Sequence, residues 1–322
     1  MTAPSEATLA HQFAINNRPR EDWGLFGPES PTWRVWSSPT ALMAFQRSIV
    51  VESFDPALAA AVEHQNGVRY RPATRFDRTI QYFLTVACGD SRAAIEVSEI
   101  LMRVHANATG IEPITGQRYS ANDPASQLWI HVTGWHSNLI CYERFGPGPL
   151  SAEDEKRYWA DCVTAAELQT CSPSDVPRSR KEVHEYYETM RPRLCMSEHS
   201  RRLIHYFLHT PREVGGAGLW AGSNLMSAAV ISTIPKWMRE LGGFDQSSLV
   251  DAAIQPVGKL AARVARHPVP ARLAIRMMAP SALPVFDQVQ NMDQPLRNEV
   301  LTPAEARKRF GKRAQLAGLH AG

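Results

Sequence analysis

Along most of this chain, apolar residues return at spacings of three and four, and two-residue alternation is nearly absent. That period belongs to helices that bury one face, not to strands. Helices are predicted from Thr40 to Ile49 and from Pro56 to Glu63, the second opened by the Asp55-Pro56 pair. Three more follow in series. The first carries Arg75 and Thr79 on one face, because four residues make slightly more than a turn. Gly89-Asp90 ends it, and Asp90 is placed to cap the next helix. That second helix has Ala94, Val97, Leu101 and Val104 as its apolar stripe, with His105 one turn beyond Leu101. Asp123-Pro124 opens the third, along which Leu128, His131, Trp135, Leu139 and Tyr142 share a side. Residues 106–122, between the second and third, read as loop.

Further helices are predicted downstream. Ser151 with Asp154, and Ser179 with Glu182, have capping-box spacing, and Thr302-Pro303-Ala304-Glu305 is a complete capping box. Helical patterns also cover residues 197–209, 226–238 and 247–267. Residues 1–22 read as a flexible polar arm, residues 23–39 as an aromatic loop across the core surface, and residues 64–74 as a turn-rich connection. No repeat of fixed period is present. The expected architecture is one all-α domain over residues 23–322.

Composition narrows the function classes. With 44% hydrophobic and 21% charged residues the chain is an ordinary globular protein, and a formal net charge of +3 calls for no nucleic acid partner. The five cysteines, Cys88, Cys141, Cys162, Cys171 and Cys195, show no C-x-x-C spacing, which fits buried thiols in a reducing compartment. The first residues lack a basic stretch followed by an apolar run, and no apolar segment is long enough to cross a membrane. A cytoplasmic protein is expected.

Several chemistries are excluded by motif. There is no P-loop, no G-x-G-x-x-G, no G-x-S-x-G elbow and no H-E-x-x-H. No histidine has Glu three residues before it, which removes the di-iron bundle signature, and the absence of C-x-x-C-H removes covalent haem. A haem held by one histidine leaves little sequence trace, and an all-helical chain permits it.

Eight segments in a fixed order carry a resemblance. They are FGPESPTWRVW, the R-x-x-x-T of Arg75 to Thr79, RVHANATG around His105, GQRYSANDP, LWIHVTGWHSNL, RFGPGPLSAEDEKRYW, VPRSRKEVHEYY and IPKWMRELGG. In this order, from about Trp23 to Leu241, the chain resembles the latex-clearing-protein and MpaB oxygenase family of histidine-ligated haem b proteins. The resemblance implies a globin-like helical core with additional helices, haem b, and dioxygen chemistry on a small or hydrophobic organic substrate. It also implies His105 as the proximal iron ligand and Arg75 and Thr79 as the pair beside the distal pocket. Arg78 then stands where rubber-cleaving members have a lysine able to cap the iron. Two features depart from the family pattern. Asp55-Pro56 replaces its His-Pro, and Thr109 stands where an arginine is common. The glutamate that serves as a base in rubber-cleaving members has two upstream candidates, Glu52 and Glu63.

Each candidate also has a plain structural reading. His105 and His131 lie on apolar faces, where a histidine is either a ligand or a hydrogen-bonded core residue. His131 is a candidate second axial ligand, which would favour electron transfer or sensing over oxygenase turnover. Arg75, Arg78 and Arg34 are candidate partners of haem propionates, because guanidinium keeps its charge when buried. Arg34 is equally suited to a cation–π contact with Trp33 or Trp36. Thr79 can bind a distal ligand or simply bond back to the Arg75 carbonyl.

Overall fold

The computed structural model describes residues 18–64 and 72–311, and the regular elements there are helices apart from one small hairpin. In chain order the elements are α1 (Pro31–Trp36), α2 (Ala41–Glu52), α3 (Pro56–His64), α4 (Pro72–Cys88) and α5 (Ser91–Ala106). The hairpin strands β1 (Thr109–Ile111) and β2 (Arg118–Ser120) come next, then the long α6 (Pro124–Phe145) and α7 (Ala152–Ala166). They are followed by α8 (Arg180–Met190), α9 (Glu198–Leu208), α10 (Arg212–Thr233) and α11 (Lys236–Gly242). The last four are α12 (Ser248–Ala265), α13 (Pro268–Met278), α14 (Leu283–Gln290) and α15 (Pro303–Phe310). The all-helical class expected from the periodicity is the class observed.

The starts of these helices follow from their first residues. Asp90 accepts from the Ala93 amide, Asp123 from Ser126, and Ser151 and Ser179 from the amides three residues on. Thr302 and Glu305 close a reciprocal capping box on α15. Helix α6 is the axis of the molecule. Trp129, Val132, Trp135, Leu139 and Phe145 are buried on it, and so are His131, Thr133, Ser137 and Asn138. A helix buried all round must satisfy its polar side chains internally. Ser137 accepts from buried Arg47 of α2 at 2.7 Å, and Arg47 also donates to the Thr233 carbonyl. Helix α2 lies along α6, and α4 and α5 pack on each other as an antiparallel pair across the Gly89 turn.

Three expectations are corrected. Of the arm expected over residues 1–22, residues 1–17 lie outside the described residues, but 18–22 are packed. Arg20 and Asp22 are buried, and Asp22 takes the Ser91 amide at 2.8 Å and its hydroxyl at 2.5 Å at the start of α5. Residues 20–24 pair through backbone bonds with 296–301, joining both ends of the described chain. Gly24 permits this, because it has φ +75° and a Cβ there would meet the Gly89 carbonyl oxygen at 2.1 Å. The aromatic stretch expected as a surface loop is partly the helix α1, and Trp23, Trp33 and Trp36 are in the core. Residues 106–122 hold the antiparallel hairpin, registered Thr109 to Ser120. The connection expected over residues 64–74 falls mostly on 65–71, outside the described residues.

Candidate functional site

The site is built against the N-terminal half of α6. His105 occupies the last turn of α5, where the apolar stripe leaves the core: Ala94 and Val97 are buried, Leu101 is half-buried and Val104 is exposed. The His105 ring is half-buried. Its Nδ1 meets the Gln127 amide nitrogen of α6 at 3.1 Å, and that same nitrogen donates to the Ala121 carbonyl behind the hairpin. The Asn122 amide holds the α5 end by donating to the Met102 carbonyl at 2.9 Å. Burial, helped by the nearby Arg75 charge, pushes the His105 pKa down to about 4. The imidazole is therefore neutral, the form that ligates metals.

Glu52, the last residue of α2, approaches from the other side. Thr133 Oγ1 of α6 lies 3.0 Å from Glu52 Oε1. Removal from water pushes the Glu52 carboxyl up to about 7, against the opposing effects of the Thr133 and Ser48 hydroxyls and the Arg75 charge. Thr133 also faces the Trp129 carbonyl at 2.7 Å. Its single proton can serve either oxygen, so the hydroxyl can donate to a Glu52 carboxylate or accept from a Glu52 carboxylic acid. Arg75, in the first turn of α4, acts electrostatically on both Glu52 and His105, and its own pKa is lowered by desolvation despite Glu52. Gln127 and Thr133 are six positions apart on α6, roughly 9 Å along its axis. His105 and Glu52 thus stand at two levels of one helix, with Arg75 in range of each.

The other predicted residues sort differently. Thr79 donates to the Arg75 carbonyl at 2.7 Å, the local back-bond. Arg78 acts on Asp77, whose carboxylate takes the Ser281 amide and hydroxyl. His131 is a core histidine: its Nε2–H donates to the Cys162 carbonyl at 2.7 Å, its ring packs against Trp135, and burial lowers its pKa to about 4. Arg34 is not brought to His105. It pairs with Asp154 at 2.6 Å and stands near Tyr142. Tyr142 lies fifteen residues from Gln127 on α6, about 22 Å along the axis. Of the two upstream glutamates, Glu63 is half-buried beside Arg202 at 3.2 Å, and Glu52 faces Thr133 of α6.

Sequence reasoning missed Gln127 and Thr133. Both are polar residues inside a helical pattern, and nothing in the spacing marks which of them faces a histidine or a glutamate.

Among the described residues no three His, Cys, Asp or Glu side chains converge as a metal-binding group, and no helix is long and apolar enough to cross a membrane. No curated protein and no solved structure matches the chain. The profile described as "ER-bound oxygenase mpaB/B'/Rubber oxygenase, catalytic domain" matches residues 33–267, which hold every residue of the His105, Arg75 and Glu52 cluster. The chain belongs to this family of oxygenase catalytic domains.

Proposed function

We propose that the protein is a haem b-dependent oxygenase of a small or hydrophobic organic substrate, with His105 holding the iron. The convergence of His105, Arg75 and Glu52 on α6, in a chain of an oxygenase family, carries this reading. The residues fit the group. The neutral His105 imidazole at the end of α5 would hold the iron of such a group. Exposed Val104, Ile111 and Ile114, at the end of α5 and on the hairpin, offer apolar surface for such a ring to cover. When bound, haem b supplies the iron at which dioxygen is activated. Five unpaired cysteines, four of them buried, accord with action in the reducing cytoplasm.

The chain's own residues then have distinct tasks. His105 presents Nε2, which requires its ring proton on Nδ1. Gln127 now faces Nδ1 with its amide nitrogen, so its carboxamide must turn to offer Oε1 to that proton. Arg75 keeps a fixed positive charge within electrostatic reach of both His105 and Glu52 and orients polar groups that come near it. Glu52, poised near pH 7, accepts a proton from the substrate and holds it, with Thr133 Oγ1 as hydrogen-bond partner of either form of the carboxyl. The alternative, an electron-transfer or sensor protein with six-coordinate iron, requires a second protein ligand. His131 donates from Nε2 to the Cys162 carbonyl, so that reading would need its buried Nδ1 as the iron ligand.

Oxygen uptake by the haem-loaded protein, over a panel of apolar alkenes, tests this reading. Glu52→Gln is expected to retain haem and lose turnover by roughly a hundredfold or more. It should also abolish the limb of the pH profile near 7. Unchanged turnover and an unchanged profile would remove Glu52 from the mechanism.

A further inference from the structure

The exposed apolar side chains are not scattered. Among the described residues, eight of the seventeen large ones, from Leu249 to Met277, fall on the two consecutive helices α12 and α13. On α12 the residues Leu249, Ala253, Val257, Leu260 and Val264 are all exposed at spacings of four, four, three and four, a single stripe. On α13 Val269, Leu273 and Met277 repeat at four. The seven large residues of the two stripes are each between 54% and 81% exposed, more than a residue at the margin of a core shows. The inner faces are small and closely seated. Gly258 lies against Phe145, where a Cβ would come within 2.5 Å of the ring, and Ala262, Ala271 and Ile275 are buried. The outer stripes have no partner among the described residues.

The charge beside these stripes indicates what covers them. Residues 248–278 contain Lys259, Arg263, Arg266, Arg272 and Arg276 against a single acid, Asp251. Asp251 is held by Arg239 at 3.0 Å, and Arg272 by Asp287. Lys259, Arg263, Arg266 and Arg276 are exposed, with no carboxylate in ion-pair range among the described residues. A two-fold contact between copies would set these cations against each other. A surface of anionic headgroups over an apolar layer matches both the stripes and the cations. An apolar cleft of about 620 Å³, mouth included, opens at the α12–α13 junction. Phe45, Phe83, Ile275 and Phe286 line it, and Arg34 and Arg266 stand at its adjoining polar mouth.

We propose that α12 and α13 form a docking face for an anionic lipid surface, their exposed stripes lying in the headgroup layer. This is independent of haem and of the oxygenase reading. The test is flotation of the full chain with vesicles of phosphatidylcholine alone and of phosphatidylcholine with phosphatidylglycerol, at low and high salt. Leu260→Glu with Leu273→Glu and, separately, Lys259→Glu with Arg263→Glu are compared, with helicity and melting checked for each. The expected result is binding to the anionic vesicles that weakens with salt and falls roughly tenfold per leucine replaced. It should also fall in the charge-reversed variant while folding is unchanged. No vesicle binding, or binding indifferent to both pairs, would overturn the proposal. So would a concentration-dependent dimer in light scattering that Leu260→Glu dissolves, which would make a second copy the occupant.

Discussion

At the scale of residues, Glu52 and His105 titrate abnormally with opposite consequences. Burial raises the Glu52 carboxyl to about 7 from an ordinary value of 4.5. Folding therefore takes up a proton between those values, and the associated stability is lost as pH rises from 4.5 to 7. His105, lowered to about 4 from 6.5, does the reverse, so its contribution grows as pH rises from 4 to 6.5. The two nearly cancel over most of the range. In the protein without haem, the stability of Glu52→Gln relative to the parent should rise by about 3 kcal/mol between pH 4.5 and 7. Denaturant titrations across that range measure it, and a flat difference would mean Glu52 is an ordinary exposed carboxylate. Gln127→Glu would place a carboxylate acceptor against His105 Nδ1 and raise the imidazole pKa, which an NMR titration of the His105 ring reads directly. Loss of any upward shift would separate Gln127 from His105. His105 and Arg75 were legible in the sequence because motif order marks them. Glu52 was one of two equal candidates, and only the approach of α2 to Thr133 distinguishes it from Glu63.

At the scale of elements, the helix starts were legible because capping is local chemistry. Asp90, Asp123, Ser151, Ser179 and Thr302 each bond within three residues of themselves. Thr302→Ala removes the side-chain half of the α15 box, leaving the backbone N–H of residue 302 on Glu305, and should destabilise the protein by about 1 kcal/mol, seen as a lower denaturation midpoint. No change would mean that α15 is held by packing on α5 alone. What sequence could not supply is non-local. The bond from Asp22 to Ser91 and the pairing of residues 20–24 with 296–301 depend on segments far apart in the chain, so a polar N-terminal stretch read as a free arm. Gly24→Ala should destabilise by more than an ordinary helix substitution, because the Gly89 carbonyl fills the space its Cβ needs. A thermal melt equal to the parent's would show that this backbone contact yields. The strands of the hairpin, three residues each, are too short to show a period.

At the scale of the molecule, one buried helix, α6, organises two ends. Its N-terminal half presents Gln127 and Thr133 to His105 and Glu52, and its far end supports α12 and borders the mouth near Arg34 and Arg266. The helical class followed from periodicity, and the family from the order of its motifs. Which arginine belongs to which end followed from neither, since both ends are basic and aromatic in composition. The central claim is that His105 holds haem b. It is tested most directly by the visible absorption spectrum of the purified protein beside His105→Ala, with and without dithionite and carbon monoxide. The account predicts a haem band in the parent that shifts with carbon monoxide and is lost in His105→Ala, whose helicity stays intact. A haem band that survives the substitution, or a parent that takes up no haem on reconstitution, would contradict it.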